Sequence, residues 1–351
     1  MIKRALLLCC TVLIVSTSGL SQVGGEGAYG FLNLTITPRS AALGSKVVAL
    51  DESDLSVVLN NPSHLNSTLN NHVALSYVSY FADIKYGYVT YARHFEGIGT
   101  FGVGIQHVGY GDFIKADETG LINGTFTGYD MALNLIYSYS IDSLFSVGVN
   151  IKPIYSHLEQ YKSYGIVADV GLNFTNREGL FSAGLVARNI GTMIKPYTED
   201  TWEDMPFEIV VGVSQKLRHA PFRFVFTYQQ LQTTNLYFLR RDQTISMFNQ
   251  TESQGRTFFE KLGQELTSHL IVGVEFVPVQ NFFVRGGYNF QRRNELKVPE
   301  ISSAAGFSWG LGVRINKYHI NYSRATYHLV GASNHFSIST NLTDFFVNSN
   351  L

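Results

Sequence analysis

Several side chains in this 351-residue sequence have the right chemistry for catalysis or ligand binding, but few are spaced to do it. Gly97-Ile98-Gly99-Thr100-Phe101-Gly102 spells a dinucleotide-binding fingerprint. A working fingerprint follows a strand and opens a helix, whose N-terminus receives the pyrophosphate. Here the glycines open a segment that continues as a strand through Val103 and Ile105. The ten histidines, among them His94, His107, His157, His219, His269, His319, His328 and His335, include no pair four residues apart that could grip zinc from one helix face. His328 lies near Ser333, an arrangement that some barrel hydrolases use at their rim, yet no third group is placed by spacing to orient the imidazole. Neither a catalytic residue nor a cofactor or metal site is expected.

The elements around these residues explain why. Lys3 and Arg4 form the basic start of a secretory leader, Ala5 to Val15 its apolar core, and Gly19 and Ser21 precede a cleavage point before Gln22. Residues 1–21 are therefore expected to be a signal peptide. Cys9 and Cys10 leave with it, so the mature chain has no thiol for a disulfide, a zinc site or a nucleophile. Lipidation of Cys10 fits poorly, because Leu8 and Cys9 precede it and the apolar core continues beyond it. Losing Lys3 and Arg4 from 26 basic residues leaves 24 against 27 acidic ones, a formal charge of −3, which gives nucleic acid nothing to bind. Only 15% of residues are charged, while Phe (25), Tyr (20) and Gly (32) are abundant. That balance suits a membrane barrel with aromatic girdles and closely packed strands.

After residue 70 the chain returns repeatedly to segments of roughly ten residues that alternate apolar and polar, the length and period of a membrane-crossing strand. Fourteen such segments can be placed, at 72–81, 84–95, 98–109, 129–139, 145–155, 164–174, 180–190, 207–218, 221–231, 269–278, 281–290, 306–316, 318–326 and 331–342. Tyr129, Met131, Leu133, Leu135, Tyr137 and Tyr139 share one face, opposite Asp130, Ala132, Asn134 and Ser138. In 145–155, Val149 faces lipid and Asn150 the lumen, so Asn150→Ser is expected to be nearly silent. Connections after even-numbered segments are short, whereas those after the third, seventh, ninth and eleventh are long. That parity places both termini in the periplasm of an all-β, fourteen-stranded antiparallel transmembrane β-barrel.

The lumenal positions hold Lys152, Arg188, Arg223, Arg285 and Arg314 with Asp130, Asp169, Glu208 and Glu275, a mixed set that suits paired bracing better than a single-sign filter. Fourteen strands enclose more space than inward side chains fill, so residues 22–70, which lack strand alternation, are expected to form a plug or hatch ahead of the barrel at 71–351. Within that plug, Ser40–Leu50 and Asp51–Leu59 are helix candidates. Thr257–Leu266 is another, in a long loop.

Motifs across the mature chain carry a resemblance. Tyr29-Gly30-Phe31-Leu32-Asn33-Leu34, Pro38-Arg39-Ser40-Ala41-Ala42-Leu43-Gly44 and Asn60-Asn61-Pro62-Ser63 resemble the PorQ/PorV group of outer-membrane barrels in the type IX secretion system of Bacteroidota, and stand nearer the PorQ side of it. Ala187-Arg188-Asn189-Ile190-Gly191, Met205-Pro206-Phe207-Glu208 and Gly286-Gly287-Tyr288-Asn289 followed by Arg292-Arg293-Asn294-Glu295-Leu296 are similar to later parts of the same group. Gly44-Ser45 and Asn61-Pro62-Ser63 depart from its Gly-Gly and Asn-Pro-Ala by small-for-small changes. The resemblance implies a FadL-like barrel with an N-terminal hatch. It also implies a non-enzymatic part in the cell-surface attachment complex, beside a PorV-like barrel, a PorU-like sortase and a PorZ-like lipopolysaccharide-binding protein. In the hatch, Arg39 is placed to pair with a lumenal carboxylate, Gly44 to end a helix, and Asn61 and Pro62 to stop another. Trp202, Phe238, Phe258 and Phe259 are aromatic candidates for holding a partner at the loops. The other reading is a FadL-like channel for hydrophobic molecules. It requires an apolar pocket beneath the loops and a lateral opening at a kinked third strand, where Gly97, Gly99, Gly102, Gly104 and Gly109 gather.

Overall fold

A computed structural model describes residues 27–50, 54–199, 201–233, 263, 266–296, 304–326 and 331–346. The expected leader, Phe238, Phe258, Phe259 and His328 lie outside the described residues, as does the Thr257–Leu266 helix apart from Gly263 and Leu266.

Alternating side chains demand that each strand show one face to lipid and one to the interior, and the chain meets this by closing on itself. The strands are β1 (His72–Ser79), β2 (Lys85–Phe95), β3 (Gly99–Ala116), β4 (Ile122–Ser140), β5 (Phe145–Leu158), β6 (Tyr161–Thr175) and β7 (Phe181–Lys195), followed by β8 (Glu208–Lys216), β9 (Phe222–Tyr228), β10 (Leu270–Val279), β11 (Phe282–Asn289), β12 (Phe307–Ile315), β13 (Tyr318–Thr326) and β14 (Ala332–Asn341). Each pairs antiparallel with its sequence neighbours, and β1 pairs with β14 from His72 opposite Asn341 to Ser79 opposite Asn334. Closure leaves no free edge to aggregate. On β4 the alternation holds: Leu133, Leu135, Tyr137 and Tyr139 are exposed outward, and Ala132, Asn134 and Ser138 are buried.

Two features differ from the periodicity. The expected long loop after the third strand is mostly strand. The β3–β4 ladder continues beyond the barrel as a two-stranded ribbon to Ala116 and Ile122, after a register shift between Gly109 and Asp112. That shift breaks the alternation, and both ribbon faces are wet, so no apolar period marks it. Likewise β7 runs to Lys195, well into the loop expected from Thr192.

Residues 27–50 and 54–69 lie inside the barrel, with most of their side chains buried. A short helix, α1 (Pro38–Ala42), packs against β11 to β14. It ends at Gly44 (φ 105°) and Ser45 (φ 136°), so the helix expected over Ser40–Leu50 is cut short by left-handed backbone. The Asp51–Leu59 helix is a 3-10 turn over Leu55–Leu59. Asp54, Asn61 and Asn66 each accept from the backbone N–H two residues on, and from the hydroxyl of the same residue, Ser56, Ser63 or Thr68. This repeated acid-or-amide, any residue, hydroxyl pattern begins three successive tight turns. Beyond the barrel wall, α2 (Phe290–Leu296) follows β11 and α3 (Thr343–Phe346) follows β14.

Candidate functional site

The interior is organised by charge. Arg39 of α1, fully buried, donates to Glu275 of β10 at 2.9 Å and to Asp54 at 3.3 Å. Glu275 also receives Arg285 at 2.6 Å and Arg223 at 3.1 Å, so one carboxylate binds three guanidinium groups and ties the inner segment to three strands. Burial pushes the Asp54 carboxyl up, but the Arg39 guanidinium beside it, together with His319, the Ser56 hydrogen bond and Arg285, outweighs this and holds it below its ordinary value. Farther round, the Lys46 ammonium sits on Glu208 of β8 at 2.5 and 2.6 Å, with Arg188 at 3.9 Å from the same carboxylate. Lys152 pairs with Asp169 at 2.7 Å and donates to Asn189 at 2.6 Å. Asp130 accepts from Tyr110 and Ser156. Eight of the nine expected lumenal charges are thus buried, and seven of these join ion pairs. The exception is Arg314, which is exposed near the end of β12 with its guanidinium 5.6 Å from the Phe283 ring centre. The strand's alternation breaks down there, at its last turn.

Inward glycines form the seat. A Cβ on Gly148 would collide with the Pro62–Ser63 peptide, on Gly171 with the Asn61 side chain, on Gly184 with the Val48 carbonyl, and on Gly287 with the Leu43–Gly44 peptide. Gly148 faces Gly171 across β5 and β6, Gly184 faces Gly212 across β7 and β8, and Gly273 faces Gly287 across β10 and β11. At Gly148, Gly171, Gly184 and Gly287 the segment lies directly on a wall glycine, where any side chain would collide with it. The sequence signal was present as glycine at inward positions of adjacent strands, but it reads equally as strand bending.

Asn61 donates to the Val48 carbonyl at 2.8 Å, and Pro62 opens the turn that rests on Gly148. The carbonyl of Gly44 accepts from Asn289 at 3.1 Å. Arg39, Gly44, Asn61 and Pro62 are therefore spread along one surface of contact with the wall and do not converge on a reactive centre. Trp202 is 62% exposed in the connection between β7 and β8.

The residues that suggested catalysis are placed otherwise. Ser333 bonds His335 at 2.7 Å, and both are fully buried beneath the inner segment, where the His335 ring faces the Ile36 carbonyl. No Gly-x-Ser-x-Gly elbow was expected, yet Gly306-Phe307-Ser308-Trp309-Gly310 has its letters. The elbow needs a sharp strand-to-helix turn, whereas Ser308 lies within β12, fully buried, and donates to Ala42 and Gly287 carbonyls. Among the described residues no cluster of three or more His, Asp or Glu is arranged to hold a metal.

A cavity of about 830 Å³ lies between the inner segment and the ends of β7, β8, β9 and β11, beside α2, and ten of its 22 lining residues carry a carboxamide or hydroxyl, with four charged and five apolar residues beside them. The apolar pocket that a hydrophobic channel would place beneath the loops is not what occupies this position. The glycines of β3 produce no break either, because pairing with β2 runs from Gly99 to Gly109 and with β4 from Thr100 to Gly109.

Among solved structures, the toluene transporter TbuX of Ralstonia pickettii superposes with a TM-score of 0.54 at 13% identity, covering 89% of this chain and 99% of that one. The toluene transporter TodX of Pseudomonas putida gives 0.50 at 11% identity, covering 87% and 96%. A TodX monoaromatic hydrocarbon channel variant gives 0.50 at 10% identity, covering 86% and 96%. No protein-family model matches the chain, and no curated protein does. At these identities the likeness establishes the fold: a closed FadL-like barrel of fourteen antiparallel strands, an architecture of the outer membrane.

Proposed function

We propose that this protein is a non-enzymatic outer-membrane barrel, shut by its own N-terminal segment, that anchors and docks partner proteins at its loop rim. The observation that carries the reading is the seat of that segment. Buried ion pairs from Arg39 and Lys46, together with backbone lying directly on wall glycines, fix it as a permanent part of the lumen. Undocking would part Arg39 from Glu275 and Lys46 from Glu208, and breaking a buried pair costs about 3 to 5 kcal/mol. With the lumen closed, the surface left for function is the rim, which includes the β3–β4 ribbon and the exposed Trp202. The motif resemblance supplies the finer identity, a PorQ-like member of the type IX attachment complex with PorV-like, PorU-like and PorZ-like partners and both termini in the periplasm.

A channel for hydrophobic small molecules is the second reading. The fold comparisons lean toward it, since the transport proteins named above share the architecture and none of them is a secretion-system barrel. An interior cluster of Tyr29, Phe31, Leu32, Tyr86, Tyr88 and Met193 offers an apolar path should the segment move. A mild-detergent pull-down of a tagged copy from its native outer membrane, with mass spectrometry, separates the two. Stoichiometric recovery of a sortase, a second barrel and a lipopolysaccharide-binding surface protein supports docking. A barrel recovered alone, with toluene-like solutes crossing proteoliposomes that contain it, supports the channel.

A further inference from the structure

We infer that the cavity between the inner segment and strands β7 to β11 is a binding site for a neutral saccharide. The proposal does not depend on whether the barrel docks partners or conducts.

Three observations carry it. First, carboxamides are the most numerous side-chain class of the lining, seven of its 22 residues, among them Asn33, Asn189, Gln229, Gln230, Asn289 and Gln291. A carboxamide offers a donor and an acceptor side by side, which matches a hydroxyl that both gives and accepts. Gln229 donates to Gln291 at 2.5 Å and Gln291 donates to Gln230 at 3.3 Å, so a ladder of amides from two elements, the end of β9 and α2, borders the space. Asn189 donates to Asn33 at 3.1 Å on the opposite side, bridging β7 to the inner segment. Second, the ionised groups on the lining cancel. They are Lys46 and Arg292 against Asp204 and Glu208, and Lys46 is already held by Glu208. An anionic or cationic ligand would meet no surplus of opposite charge. Third, the volume, about 830 Å³, falls in the range of roughly 300 to 1,000 Å³ usual for small-molecule sites.

An apolar ligand would shut water out of this polar lining and offer it no hydrogen bond in exchange. A toluene-like solute is therefore disfavoured here even if it binds elsewhere. The side chains that would contact a sugar come from the wall and the inner segment together, so the site exists only while the segment is seated.

The test is calorimetric titration of the full-length barrel in an amine-oxide detergent, which carries no sugar headgroup. The probes are maltotriose and triacetylchitotriose, with toluene and inorganic phosphate as comparisons. At least one trisaccharide is expected to bind saturably, about millimolar or tighter, and neither comparison ligand to compete for it. Gln291→Leu and Asn33→Ala, on opposite sides of the cavity, are each expected to weaken binding about tenfold, with heat-modifiable gel mobility checking that each variant is folded. Val149→Ala, on the lipid face, is expected to bind as wild type. The inference is overturned if neither trisaccharide binds, if toluene or phosphate displaces the bound sugar, or if both folded cavity variants bind unchanged.

Discussion

Gly184→Ala tests the seating of the inner segment with one methyl group. The added Cβ would fall on the Val48 carbonyl oxygen, which already accepts from Asn61 at 2.8 Å and faces His64 Nε2 at 3.0 Å. Nothing flexible stands between: the colliding atom is backbone, and β7 is fixed by pairing with β6 and β8. The segment must lift, stretching both hydrogen bonds at about 0.5 to 1.5 kcal/mol each and adding overpacking of about 1 to 3 kcal/mol, for about 2 to 6 kcal/mol in all. Gly87→Ala is the matched control, because its Cβ would meet nothing within 4 Å. In planar bilayers the wild type and Gly87→Ala should show no steady conductance. Gly184→Ala should show intermittent openings, and protease should cut within residues 43–66 while the barrel retains its heat-resistant mobility. If Gly184→Ala stays as silent and as protease-resistant as wild type, the backbone of the segment does not rest on β7 and the closed lumen must be explained otherwise.

Arg39→Met removes the cation that holds Asp54 and one of three on Glu275, so it is expected to weaken seating by about 3 to 5 kcal/mol, seen as conductance and a lowered unfolding temperature. Acid should act in the same direction. Burial holds His64 neutral with a pKa of about 4 against 6.5 for a free imidazole. The unseated form therefore takes up the extra proton as pH falls through that window. Seating is complete above about pH 6.5 and loses up to about 3 kcal/mol by pH 4, with the depressed Asp54 carboxyl adding to the loss at lower pH. Protease protection measured from pH 8 to 4 checks this, and a flat profile would exclude His64 as the group. Val149→Arg, on the lipid face, should hinder assembly by about 2 to 4 kcal/mol in refolding assays. Asn150→Ser, expected from alternation alone to be silent, instead loses the buried bond to Asn134 at 3.0 Å and should cost about 1 kcal/mol.

What the sequence disclosed depended on whether a residue faced two different solvents. All fourteen strands were legible, because lipid on one side and a polar lumen on the other force a period of two, as Val149 and Asn150 illustrate. Ile114, Leu121 and Ile122 in the ribbon, 65 to 68% exposed, carry no such period, since water bathes both faces. The inner segment was legible as something other than strand, and Arg39 as pairing with a lumenal carboxylate, but which carboxylate was not. Arg39 lies 236 residues from Glu275, and no local pattern links them. The cavity was missed for a similar reason: Asn33, Asn189 and Gln291 read as ordinary loop and strand-end amides until closure of the barrel brings them together.

The same fold can serve transport or attachment, so the difference must lie in how the lumen is filled. A barrel that opens for apolar solutes needs an interior its contents can leave cheaply, lined by side chains that repack without exposing charge. Here the segment's contacts are of the opposite kind. Arg39 and Lys46 place cations against Glu275 and Glu208, and Val48, Pro62 and Gly44 place backbone where the wall has only glycine. Glycine contacts cannot be replaced by neighbouring side chains once the segment lifts, and of the three arginines on Glu275 it is Arg39 that leaves with the segment, so a solute must offset the loss of that pair and of Lys46 on Glu208. The interior is thus braced by the contacts of the seated segment.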